Sequence, residues 1–221
     1  MTITYKYFSL ADFATSFLKE GKVYFNTLAY FINCEEAQLC DETEDALVYR
    51  PKGDLEINNL TTGRSLKLNA GLISKVRHPG RIYVFCTSLI KSKALVERFN
   101  APYCVEIFDV EEFSRRLRRK FKNPIERMRH QTLLCGQIEY RTQSNQGGTD
   151  HALPEKIIYS KPPEFQIEAE YRHAFTKDKA GFDAYQVEYS LGNFEPTKLE
   201  NSAPRIIRLG DLRDICRLVV V

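Results

Sequence analysis

The chain has 221 residues, 43% of them hydrophobic and 28% charged, values that fit one generous domain with a real core and argue against disorder. No apolar run approaches the ~20 residues of a membrane helix, and residues 1–6 lack the regions of a secretory signal, so a cytoplasmic protein with no membrane partner is expected. The net charge of +3 hides a polarity: residues 109–130 carry eight Lys/Arg against four acids, whereas residues 35–45 carry six acids and no base.

Residues 2–8 alternate apolar and polar side chains and predict a strand. Ser9 with Asp12 forms a candidate capping box for a helix through Phe13, Phe17 and Leu18, closed by Gly21. Residues 22–25 predict a second strand, and Thr27 a cap for a helix with Tyr30 and Phe31 on its inner face. Three short strands follow at residues 46–49, 54–58 and 64–69, broken by turn signals at Gly53 and Gly63. Residues 81–88 and 103–108 read as core strands. Asp109 and Glu112 cap a helix with Phe113, Leu117 and Phe121 at four-residue spacing, and Pro124 starts another. Residues 137–141 predict a strand, 143–150 a loop, 156–159, 167–172, 184–189 and 205–209 further strands, and 212–216 a last helix. Many short strands with little regular strand–helix alternation predict a single α+β domain over residues 1–221.

Phosphate-cradling glycine motifs are missing. The six cysteines and four histidines show no ligand spacing, so reduced thiols and no metal site are expected. The segment with most chemical content is residues 161–172. Pro162 and Pro163 lead into a stretch in which Gln166, Glu168 and Glu170 share one strand face, with Arg172 next on that face. Two neighbouring carboxylates repel unless a cation intervenes, and Arg172 is the candidate cation. An ordinary solvent-facing edge strand is the plain alternative. The basic helices over residues 114–129, with Arg115, Arg118 and Arg119, read either as solvated amphipathic faces or as an RNA or DNA footprint. The acidic run at 35–45 reads as a solvated loop or helix end.

Tyr5-Lys-Tyr-Phe-Ser9, Lys22-Val-Tyr-Phe-Asn-Thr27, Phe85-Cys-Thr-Ser88 and Glu168-Ala-Glu-Tyr-Arg172 occur in an order that resembles a family of uncharacterised bacterial and phage proteins. The strand–helix–strand opening with a late Glu-x-Glu strand also resembles the ADP-ribosyltransferase superfamily. That resemblance implies a split, mostly antiparallel mixed sheet and NAD as substrate. Glu170 would stabilise the ribosyl cation and Glu168 would orient the acceptor; a shifted register, Gln166-x-Glu168, would make Glu168 the catalytic residue. Cleaving the nicotinamide–ribose bond builds positive charge on the ribose, which a fixed carboxylate stabilises. By the same resemblance Lys6, Tyr7, Thr27 and Tyr30 are candidate NAD contacts, while Phe165 and Gln166 would meet a protein or nucleic-acid acceptor. A toxin or phage-defence role would follow from the family's setting. Phe8 stands where that superfamily places an arginine. The rival readings are a non-catalytic nucleic-acid-binding module using the basic helices, and a degenerate transferase fold that only binds.

Overall fold

A computed structural model describes residues 2–33, 43–121, 133–142, 149–176, 182, 186–193 and 203–221. It is α+β with mostly antiparallel strands. In chain order the elements are β1 (Thr4–Phe8), α1 (Ala11–Glu20), β2 (Lys22–Thr27), α2 (Leu28–Ile32), β3 (Ala46–Tyr49), β4 (Leu55–Asn58), β5 (Ser65–Leu68), β6 (Gly71–Val76), β7 (Ile82–Ser88), α3 (Lys93–Phe99), β8 (Tyr103–Ile107) and α4 (Val110–Phe121). Then come β9 (Leu134–Gln137), β10 (Glu139–Tyr140), α5 (Pro154–Ile158), β11 (Ser160–Lys161), β12 (Glu170–Thr176), β13 (Val187–Gly192), β14 (Arg205–Arg208) and β15 (Cys216–Val219). No helix among the described residues is long and apolar enough to cross a membrane.

The main sheet is organised by β7. Along one edge β7 pairs with all of β12, from Glu170 opposite Ser88 to Thr176 opposite Ile82. Its other edge is shared. β2 pairs with its start (Asn26 with Val84, Thr27 with Tyr83) and β1 with its end (Tyr5 with Ser88). Both run antiparallel to β7 and so parallel to each other, joined by α1. Between these contacts the strands fork, and Lys6 Nζ donates to the Cys86 carbonyl at 2.9 Å.

β7 is buried on both faces, as its nearly unbroken apolar run requires. Tyr83 and Phe85 pack with Phe17 of α1 and Phe113 and Leu117 of α4. Ile82 and Val84 face Leu28 of α2, Leu47, Val76 and Val187 of the small β13–β6–β3 sheet, and Ile157 and Ile158 of α5. The result is three layers. Each fully buried Phe or Leu among these contributes about 1.5–3 kcal/mol.

Three of the local signals that rest on single residues hold. Gly21 ends α1 at φ 61, Thr27 Oγ1 accepts from the Tyr30 amide at 3.2 Å, and Asp109 Oδ1 accepts from the Glu112 amide at 2.9 Å. Elsewhere the structure corrects the expectations. Leu10, with no side-chain cap bond, is the N-cap of α1 rather than Ser9. Residues 156–158 belong to α5, started by Pro154 at its first position, and Tyr159 is its C-cap, so residues 156–159 are not a strand. Residues 213–215 form a turn, not a helix, leading into β15, which begins at Cys216, and Leu212, Ile215 and Cys216 join the core around Phe17 and Phe113. The second basic helix, most of the acidic run and most of the 143–150 loop lie outside the described residues.

Candidate active site

Residues 161–172 carry the largest correction. Residues 165–169 are not a strand. Pro163–Glu168 is a short 3-10 helix, Ala169 adopts a left-handed conformation at φ 42, and β12 starts only at Glu170. The paired prolines fix the entry, where a strand would lack an amide donor. Ser88 pins the turn by donating from Oγ to the Glu168 carbonyl at 2.7 Å, while the Leu89 amide donates to the Ala169 carbonyl at 2.7 Å. Strand alternation is therefore not what aligns Glu168 and Glu170, yet both carboxylates are buried and converge on one cation.

That cation is Lys161 at the end of β11. Its Nζ lies 2.9 Å from Glu170 Oε2, 3.2 Å from Glu168 Oε2 and 3.6 Å from Glu44 Oε2. Arg172 completes the cluster: Nε donates to Glu170 Oε1 at 2.8 Å, Nη1 donates to the Ile158 carbonyl at 2.5 Å, and Nη2 pairs with Glu44 Oε1. Arg98 of α3 holds Glu168 Oε1 through Nε and Nη2 at 3.1 and 3.0 Å. Three carboxylates thus meet three cations. Phe165 covers the cluster, its ring centre 5.0 Å from Lys161 Nζ and 5.8 Å from the Arg98 guanidinium. The Glu170 amide donates to Tyr140 Oη at 2.8 Å.

Burial alone would push the Glu170 carboxyl up, but Arg172 and Lys161 outweigh it and hold the group well below the usual carboxylate range. Lys161 is likewise displaced upward, its desolvation overcome by Glu170, Glu44 and Glu168. Glu170 is therefore a fixed anion across the physiological range. Burial pushes the neighbouring Cys86 thiol far up, so it is a neutral hydrogen-bond donor to Glu170 rather than a thiolate.

The cluster floors a cleft of about 450 Å³ at the fork. Tyr5, Lys6, Tyr7 and Phe8 of β1, Asn26 of β2, and Cys86, Thr87 and Ser88 of β7 line it. Tyr30, Phe31, Phe13 and Phe99 add aromatic walls. Such a cleft suits a ligand with a flat ring and a polar or charged end.

The sequence-based candidates divide. Glu168, Glu170, Lys6, Tyr7 and Tyr30 all line the cleft. Tyr30 points outward, 40% exposed, rather than inward as expected, because Leu28, Ala29 and Ile32 supply the buried face of α2. Tyr7 Oη is tied to the backbone, donating to the Ile90 carbonyl at 3.1 Å and accepting from the Ser92 amide at 2.9 Å. Thr27 is fully buried as a helix cap and does not reach the cleft. Gln166 is exposed on the 3-10 turn and outside the lining, so the carboxylate pair here is Glu168 with Glu170. Arg115, Arg118 and Arg119 sit on α4, which packs against the other face of the sheet. There Ser114 Oγ lies 2.8 Å from Nε2 of His173, whose side chain points away from Arg172 along β12. All three arginines are exposed; Arg115 pairs with Glu112, and Arg118 donates to Cys135 Sγ at 3.2 Å.

Glu44, Arg98 and the central role of Lys161 were not foreseen. The 161–172 segment gives its first residue, Lys161, no role of its own, Glu44 reads as part of a solvated acidic run, and no local signal marks Arg98. Among the described residues no cluster of His, Cys, Asp and Glu is arranged to hold a metal. Compared with protein-family models, with curated proteins and with solved structures, the chain matches none.

Proposed function

We propose that the protein is an ADP-ribosyltransferase-like enzyme that takes NAD as substrate and modifies a macromolecule. The observation that carries this reading is Glu170, an anion fixed at the floor of an aromatic cleft between the first two strands. As the nicotinamide–ribose bond breaks, positive charge grows on the ribose and a preorganised carboxylate lowers that barrier. Nicotinamide leaves neutral, the acceptor nucleophile takes the ribosyl carbon, and one proton is released. Tyr30 and Phe31 offer a stacking surface for the flat ring, and the Phe165 turn stands beside the acid pair where an acceptor would approach. Incubation with labelled NAD and a cell extract should move label to a target and release nicotinamide, and Glu170→Gln should reduce both by at least about a hundredfold. Undiminished transfer in that variant would remove Glu170 from the chemistry.

A second reading is favoured by one observation: each oxygen of Glu170 already has a cation. A site so fully paired also suits a scaffold that binds a nucleotide without cleaving it. Calorimetric binding of NAD with no nicotinamide released would select that reading.

A further inference from the structure

The ion cluster leaves one cleft cation over. Arg98, Arg172 and Lys161 each have a carboxylate within ion-pair distance, and their three charges balance those of Glu44, Glu168 and Glu170. Lys6 makes no such pair among the described residues. Its Nζ donates to a neutral acceptor, the Cys86 carbonyl, and lies 5.0 Å from the centre of the Phe85 ring. The groups facing it are Cys86, protonated, and Glu170, whose charge Lys161 and Arg172 already offset. An ammonium half-buried in a cleft and without a counter-ion favours recruiting an anion or giving up its proton. Desolvation lowers the pKa of Lys6, with Cys86 and Glu170 opposing only in part.

We propose that Lys6 is a reactive amine and that the cleft takes a carbonyl compound bearing a flat ring, which condenses with it to an imine. The amine nitrogen attacks the carbonyl carbon, the C–N bond forms, and the carbonyl oxygen leaves as water with the two amine hydrogens; no electrons are exchanged. Aromatic walls from Tyr5, Tyr7, Phe31 and Phe99 would hold the ring, and the fixed acids and cations of the floor would position polar substituents. Lysines of this kind, desolvated in a pocket and still hydrogen-bonded, supply imine chemistry elsewhere. The inference does not rest on NAD being the substrate.

The test uses the intact protein. Benzaldehyde with cyanoborohydride, which delivers hydride to the imine and makes the adduct permanent, is added at pH 7, and labelled lysines are mapped by mass spectrometry over time. Lys6 should be labelled at least about tenfold faster than the exposed Lys19 and Lys67. Labelling of Lys6 at or below the rate of those two overturns the proposal.

Discussion

Replacing Lys161 with Met keeps the length of the side chain and removes the charge on which three carboxylates converge. Glu44, Glu168 and Glu170 would then have only Arg98 and Arg172 within ion-pair distance among the described residues, leaving one buried negative charge without a direct partner. Breaking a buried pair by removing one partner costs roughly 3–5 kcal/mol, a large part of the ~5–15 kcal/mol that holds a domain together. With a urea dependence of about 2–3 kcal/mol per molar, the midpoint should fall by about 1.5 M. The decisive measurement is a double-mutant cycle by urea denaturation at pH 7. Glu170→Gln in the Lys161→Met background removes the surplus charge, so the two changes together should cost at least about 1 kcal/mol less than their sum. Strict additivity, or a Lys161→Met variant as stable as the parent, would mean that water and not Lys161 compensates these acids.

Two further outcomes follow from other parts of the fold. Burial pushes the Asp45 carboxyl up to about 6 from 3.8, against a partial pull from Lys75. A raised carboxyl binds its proton more tightly when folded, so its stabilising contribution is present below pH 3.8 and lost as pH rises to about 6. Asp45→Asn should therefore be more stable than the parent at pH 7.5 by up to about 3 kcal/mol, with the difference closing near pH 4 in thermal melts; a constant difference across that range would refute the cause. Gly21→Ala should cost about 2 kcal/mol or more, since Gly21 sits at φ 61 and a Cβ there would lie 2.3 Å from the Gly210 carbonyl oxygen, and a melting temperature matching the parent would contradict that contact.

The features legible in the sequence are those decided within a few residues: the left-handed stop at Gly21, the Thr27 and Asp109 caps, and the four-residue spacing that buries Phe113, Leu117 and Phe121. What escaped is decided by distant partners. Alternation across residues 165–172 mimics a strand, but the turn is set by Ser88 holding the Glu168 carbonyl from another element. The acids still converge because a left-handed Ala169 rotates the chain between them. Glu44 belongs by sequence to a solvated acidic stretch, and only Arg172 and Lys161, more than a hundred residues later, make its burial tolerable. β6 and α3 gave no signal strong enough to place, and with α3 went Arg98.

The fork of β1 and β2 along one edge of β7 makes two sides of the cleft part of the sheet itself, with helices adding the aromatic walls. Widening the mouth means pulling β1 from β8 or β2 from β14, ladders of five and four residue pairs. The cavity therefore breathes only as fast as those ladders open. A ligand that grips both walls would slow amide exchange out to strands it never touches. The footprint of binding would be read at β8 and β14, one strand beyond the cleft on either side.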